Sequence, residues 1–279
     1  MSYITCYIQG GLGNQLFIIF TTLAVAKKQN LKYAIIKQPD SPSVTPRKTY
    51  FDTLLSKLDT QDMLNFSINS IYREQDHMRY SEIPEIKTNT IITGYFQSRK
   101  YIDDIRDTIV NTILLKEKKD IDAKNLSVKL IREKANGKKC IFLHVRRGDY
   151  LNLSHYHYNL PIDYYISAIK NFKEKEDCLF VIFSDDMEYC KEVFSVMLQK
   201  DEVYYCKTSK DYVELMIMSE MDGAIIANSS FSWWGAYLME AKKELNNKES
   251  PVIISPKMWF TNNYNQNDRN IERDNWVYL

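Results

Sequence analysis

Short apolar runs, β-branched or aromatic and bounded by polar residues, recur through the second half of the chain. They are Cys140–Val145, Cys178–Phe183, Val203–Cys206, Gly223–Ala227 and Val252–Ser255, and each reads as a buried strand. Helix-like stretches separate them. Pro161 suits the first turn of one, in which Tyr165, Ile166, Ile169 and Phe172 share a face. Ser209 is expected to cap another that runs to about Met221. The alternation of strand and helix predicts an α/β domain with a doubly wound parallel sheet.

The first half carries weaker signals. Tyr3–Gln9 reads as a strand and Gln15–Gln29 as a helix, joined by the turn Gly10-Gly11-Leu12-Gly13. Lys32–Ile36 reads as a second strand and Asn89–Phe96 as a third, with a helix expected over Arg99–Leu115. Gln38–Thr49 holds three prolines and reads as a long loop. The pattern over Phe51–Glu85 is mixed and predicts no element. Lys116–Lys124 reads as a solvated charged face, and Gly137-Lys138-Lys139 as a seam near the start of the second domain.

Composition narrows the function classes. The 279 residues include only 8 Gly and 7 Pro, against roughly 33 together at average usage, which excludes collagen-like and linker-rich chains. The net charge of +1 gives no basic surplus, so no nucleic-acid partner is expected. The longest apolar run, Leu16–Ala26, is too short for the ~20 residues that span a bilayer. It lacks the flanks of a signal peptide. The five cysteines form no Cys-x-x-Cys pair and read as buried reduced thiols of a cytosolic protein.

Three polar clusters fall where strands end: His144-Val145-Arg146-Arg147-Gly148-Asp149, Ser184-Asp185-Asp186 and Asn228-Ser229-Ser230-Phe231. In open α/β sheets, ligands bind beyond the carboxyl ends of the strands. Forked guanidinium donors at such an edge suit a phosphate, although adjacent arginines are also common surface charges. His144 fits a core histidine or a ligand contact. Asp185-Asp186 could cap the next helix or meet a nucleotide. Asn228-Ser229-Ser230 could cap a helix whose N–H groups face a phosphate. Phe231, Trp233 and Trp234 read mainly as packing. Asp120-Ile121-Asp122 looks like a metal-holding Asp-x-Asp pair, but it lies in a segment read as exposed. With four scattered histidines and no dense carboxylate cluster, no metal site is expected. The glycine turn matches neither the dinucleotide fingerprint nor a P-loop.

Taken together, these motifs resemble the α-1,2-fucosyltransferases of glycosyltransferase family 11, bacterial type. The resemblance rests on Gly10-Gly11-Leu12-Gly13-Asn14-Gln15-Leu16-Phe17, Gly94-Tyr95-Phe96-Gln97-Ser98 and His144–Tyr150. It rests further on Phe183-Ser184-Asp185-Asp186 and Ala227–Trp234. It implies a GT-B fold, with two Rossmann-like domains facing across a cleft. Residues 1–130 would form the acceptor side and 131–279 would hold GDP-fucose. It implies inverting transfer of fucose to the 2-hydroxyl of a terminal β-galactoside, with no metal and no cofactor.

On that resemblance, Arg146 would stabilise the leaving phosphate. His144, Arg147, Asp185, Asp186, Asn228, Ser229, Ser230 and Phe231 would line the donor site. Asn14, with Gly10, Gly11 and Gly13, would approach the reacting centre, and Tyr95 and Gln97 would lie on the acceptor side. The segment after the arginine motif lacks the glutamate of some related enzymes, which leaves Asp149 or His155 as base, or little need for one. The resemblance further implies surface-glycan synthesis such as O-antigen. The enzyme would be cytoplasmic, with peripheral contact with a lipid-linked acceptor at the inner membrane surface.

Overall fold

A computed structural model describes residues 2–36, 48–58, 60, 61, 67–77, 79–155, 157–261 and 275–279. The loop expected over Gln38–Thr49 falls almost wholly outside them. The described residues divide into two compact units, one up to Glu117 and one from Lys118 onward.

The first unit is built on a four-stranded parallel sheet. Its strands are β1 (Tyr3–Cys6), β2 (Lys32–Tyr33), β5 (Ser70–Arg73) and β6 (Thr90–Thr93), in the order β2-β1-β6-β5. Between β2 and β5 in the chain, β3 (Ile35–Ile36) and β4 (Thr60–Gln61) pair separately. The single strand expected over Lys32–Ile36 is therefore two, each in its own sheet. Helix α1 (Leu12–Lys28) follows β1 directly and is buried along nearly its whole length. Its residues Leu16 to Ala26 are apolar or threonine on every side, as suits a helix enclosed by protein.

The helix expected over Arg99–Leu115 is broken. Two 3-10 turns, Arg99–Tyr101 and Asp103–Ile105, precede a short α2 (Arg106–Thr112). The Ser98 hydroxyl caps the first turn by accepting from the Lys100 N–H. Ile102, buried and away from helical geometry, separates the two turns.

The second unit begins earlier than residue 131. Helix α3 (Lys118–Ala135) packs on α7 (Asp211–Met218). Asp120 on α3 is buried, and it accepts from Lys210 Nζ at 2.5 Å and from the Tyr212 hydroxyl at 2.7 Å. Arg132 pairs with Asp222. The charged stretch read as a solvated face thus anchors α3 to this unit, and Asp120 is a packing residue, not an exposed one.

The sheet of the second unit has six parallel strands, ordered β12-β11-β10-β7-β8-β9. They are β7 (Lys139–Val145), β8 (Cys178–Ser184), β9 (Val203–Tyr205), β10 (Gly223–Ile225), β11 (Ile253–Ser255) and β12 (Val277–Tyr278). The chain runs outward from β7 to β9, then returns to the other side of β7 as β10. Strands β7 and β10 therefore flank the topological switch point. Helices α4 (Gly148–Asn152), α5 (Ile162–Lys173), α6 (Met187–Met197) and α8 (Ser230–Leu245) complete the unit.

Tyr164, Tyr165, Ala168, Ile169 and Phe172 of α5 bury against β7, β8 and β10. Trp233 and Trp234 of α8 are fully buried, as packing predicts. Helix α7 starts at Asp211 after an N-cap at Lys210 that makes no side-chain bond, so Ser209 does not cap it. All five cysteines are buried and none is in a disulfide. Among the described residues, no helix is long and apolar enough to cross a membrane.

Candidate active site

In the second unit, β7 delivers His144 to the carboxyl edge of the sheet, and the next residues hold the two arginines. Arg146 lies between two carboxylates. Its Nη2 meets Asp149 Oδ1 at 2.5 Å and its Nη1 meets Asp185 Oδ2 at 2.9 Å. It is 27% exposed, and its guanidinium carbon lies 5.3 Å from the Tyr150 ring centre. Of its five N–H donors one makes a hydrogen bond, to Asp149, the Asp185 contact is an ion pair, and no other acceptor faces the guanidinium among the described residues. A guanidinium so held is a fixed cation with donors left for an anion.

Arg147 has a different role. Its Nε donates to Asp186 Oδ2 at 3.0 Å, and its guanidinium lies 3.6 Å over the Tyr189 ring. Its backbone N–H donates to Asp185 Oδ1 at 2.9 Å. Asp186 also caps α6 by accepting from the Tyr189 N–H at 3.2 Å. The two aspartates, expected to meet a nucleotide or cap a helix, thus carry the two arginines, and Asp186 is a cap as well. Gly148 lets Asp185 approach, since a Cβ there would lie 2.5 Å from Asp185 Oδ2.

His144 is buried beside Phe231, with ring centres 5.6 Å apart. Burial, and then the charge of Arg146, push its pKa down to about 3, so its imidazole is neutral at physiological pH. His144 Nδ1 is buried and has no hydrogen-bond partner among the described residues. His155 is exposed, and its carbonyl accepts from the Thr261 hydroxyl at 2.9 Å.

Beyond β10, Asn228 uses both amide hydrogens within the protein. It donates to the carbonyls of Tyr158 at 2.7 Å and Trp259 at 2.8 Å. Its own carbonyl accepts from the Tyr150 hydroxyl at 3.0 Å. Asn228 therefore ties the segments around Tyr158 and Trp259 to the switch point. Ser229 occupies the N-cap of α8 without a side-chain cap bond, and Ser230 opens the helix. The Tyr150 ring stacks on His157 at 3.8 Å, and His157 on Phe260 at 5.9 Å. Burial, against the opposing field of Asp149, lowers the His157 pKa to about 4. His157 and Phe260 carry no motif, and only the fold reveals them.

In the first unit, a second polar group assembles where β1 and β6 end. Gly10 has φ +75°, which only glycine adopts readily, and a Cβ there would lie 2.6 Å from Asn14 Nδ2. Gly11 is extended and has open space around it, and Gly13 is buried in the first turn of α1. Of the three glycines, Gly10 is the one that the backbone demands. Asn14 Oδ1 accepts from Gln97 Nε2 at 2.7 Å, bringing together two site residues 83 positions apart. Tyr95 is half-exposed. Its N–H and that of Phe96 both donate to Glu74, a residue with no sequence signal because it lies in the unpatterned Phe51–Glu85 region. Among the described residues, no group of three or more His, Cys, Asp or Glu side chains could hold a metal ion.

The sequence profile described as glycosyl transferase family 11 matches residues 2–279. The chain belongs to glycosyl transferase family 11. This family 11 chain is 31% identical over 204 residues to the O-antigen biosynthesis glycosyltransferase WbnK of Escherichia coli. That match covers 70% of the chain and 62% of WbnK, so the chain spans less than two thirds of that relative's length. It is 27% identical over 286 residues to an Escherichia coli alpha-1,2-colitosyltransferase, covering 93% of each. It is 29% identical over 262 residues to a Caenorhabditis elegans galactoside 2-alpha-L-fucosyltransferase, covering 84% of the chain and 68% of the relative.

Among solved structures, the family 11 chain resembles the fucosyltransferase NodZ from Bradyrhizobium. The TM-score is 0.51 at 12% identity, over 85% of the chain and 92% of NodZ. Both units of the family 11 chain are α/β with parallel sheets, as the GT-B class requires.

Proposed function

We propose that the chain transfers L-fucose from GDP-β-L-fucose to the 2-hydroxyl of a terminal β-galactoside, with inversion and without a metal, in surface-glycan synthesis. The observation that carries this reading is Arg146, ion-paired with two carboxylates at the switch point of the second unit's sheet and with N–H donors left over. Breaking the bond from sugar carbon to β-phosphate oxygen leaves negative charge on GDP, while the sugar gains oxocarbenium character. A preorganised guanidinium aimed at that charge is the group such a step needs. The acceptor oxygen forms the new bond on the opposite face and releases its proton. Asp149 and His155 are the bases of this segment, and a dissociative step asks little of either.

His144, neutral at physiological pH, offers the donor an uncharged hydrogen-bonding contact. Asn228, Ser229, Ser230 and Phe231 form the rim beyond β10. Asn14, Gln97 and Tyr95 are assigned to the acceptor. Arg146 and Arg147 supply the positive charge that a metal ion brings to other sugar-nucleotide sites, so no metal is required. A cytoplasmic enzyme that meets a lipid-linked acceptor at the inner membrane surface fits this reading, and the O-antigen relative supports it. The alpha-1,2-colitosyltransferase relative supports a second reading, in which the same site takes another GDP-deoxyhexose.

A donor-by-acceptor screen tests both, with GDP release as the assay and the product linkage read by NMR. An α-1,2-fucosyl product, formed equally in EDTA and in Mg²⁺, is expected. Turnover with a different GDP-deoxyhexose alone would transfer the assignment to the second reading. A tenfold loss in EDTA, restored by metal, would overturn the metal-free step.

A further inference from the structure

The turn after β6 has a backbone that the sequence alone would not choose. Gly94 has φ +151° and Phe96 has φ +50°. Among the described residues, Phe96 is the one positive-φ residue that is neither glycine nor asparagine. A bulky side chain in that region is an outlier held there by its surroundings. Two features hold it. The Phe96 ring is fully buried and meets Tyr101 edge-on at 5.5 Å. The Glu74 carboxylate takes both backbone donors of the turn, with Oε2 accepting from Tyr95 N at 2.7 Å and Oε1 from Phe96 N at 3.0 Å. Glycine is required at 94, because a Cβ there would lie 2.6 Å from Glu74 Oε2. Gln9 Nε2 closes the turn from the other side by donating to the Gly94 carbonyl at 3.4 Å.

The next residue is Gln97, whose side-chain amide donates to Asn14 Oδ1. That bond holds the Asn14 oxygen toward Gln97, while the amide nitrogen lies toward Gly10. We propose that Glu74 is a positioning residue that fixes the orientation of the Asn14 amide through the Gly94–Gln97 turn. The proposal rests on the assignment of Asn14 to the acceptor side. A carboxylate suits the task because it is an acceptor at both oxygens and matches two converging N–H groups. A glutamine matches one of them and sets its own N–H₂ against the other.

The test compares wild type with Glu74→Gln, Gln97→Ala and the double variant. Side-chain amide spectra of ¹⁵N-labelled protein report Asn14 directly, with its resonance identified by its loss in Asn14→Asp. Glu74→Gln and Gln97→Ala are each expected to move that resonance. Each should lower kcat about tenfold. GDP affinity should stay near wild type. Glu74→Gln should melt somewhat lower, because one backbone N–H of the turn loses its acceptor, while Gln97→Ala stays near wild type. The two kcat losses should not add in the double variant. Glu74→Asp should recover part of the loss.

An unmoved Asn14 resonance in Glu74→Gln overturns the proposal. So do additive losses, or a kcat that falls only in step with the melting temperature. If the wild-type chain transfers from no GDP-sugar, the spectra still decide the link from Glu74 to Asn14, and the functional reading is what fails.

Discussion

Replacing Arg146 with lysine separates a forked cation from a point charge. In the structure, one guanidinium nitrogen meets Asp149 at 2.5 Å and the other meets Asp185 at 2.9 Å. A lysine ammonium reaches one of these carboxylates and leaves the other without its cation. A charge-assisted hydrogen bond contributes about 1.5–3 kcal/mol when well buried. Here Arg146, Asp149 and Asp185 are 27%, 41% and 26% exposed, so solvent screening brings the stability cost to about 1 kcal/mol. For a chain of this size that is a drop of roughly 2–4 °C in melting temperature.

The rate should suffer far more. The N–H groups that make no hydrogen bond to the protein vanish with the guanidinium, and loss of one such donor costs about 10²–10³ in kcat. The assay is GDP release at saturating donor and acceptor, alongside a thermal melt and calorimetric GDP binding. Arg146→Lys should be at least a hundredfold slower while still folded, and Arg146→Ala slower again. Turnover of Arg146→Lys within tenfold of wild type would refute the forked role, because a single positive charge would then suffice.

Asn14→Ala should lower kcat by at least tenfold, about 1.4 kcal/mol of transition-state stabilisation. GDP affinity should hold, because GDP is assigned to the other unit. Full kcat in that variant would make the glycine turn purely structural. Gly148→Ala should also slow transfer tenfold or more, because its Cβ would displace the Asp185 carboxylate that aims Arg146. Normal kinetics there would show that Arg146 does not depend on Asp185.

Acid should destabilise the fold through His144, whose folded pKa of about 3 lies below its ordinary 6.5. The unfolded state takes up the proton first, so this stabilisation is present above pH 6.5 and is lost progressively toward pH 3. At pH 5 the loss is about 2 kcal/mol. Melts from pH 8 to pH 5 should show a steeper fall for wild type than for His144→Gln, and equal slopes would contradict the assignment.

Much of the second unit was legible because its strands are buried on both faces. Strands β7, β8 and β11 are rich in β-branched or aromatic residues and β10 is a short buried apolar stretch, and such runs need no partner to be recognised. The first unit was harder. Its strands are two to four residues long, and β5 lies at a sheet edge with Ile71 half-exposed. Such segments take their conformation from neighbours and not from their own pattern, and Glu74 was hidden with them. The charge pattern misled at Asp120, because a buried carboxylate bonded to Lys210 and Tyr212 looks like a surface one until its partners, some ninety positions away, are in place.

The sequence by itself determined the parallel α/β class and the positions of the polar clusters at strand ends, since both follow from local periodicity and from residue type. It also carried the family, through motifs that run along one stretch of chain each. Strand order belongs to the tertiary structure. Only the return of the chain from β9 to β10 makes β7 a central strand and sets Arg146 at a switch point. Only the pairing of β1 with β6 brings Asn14 to Gln97. The roles of Asp185, Asp186 and Asn228 were likewise decided there. Their side chains are engaged by Arg146, Arg147, Tyr158 and Trp259, and hydrogen bonds between residues far apart in the chain leave no periodic trace in it.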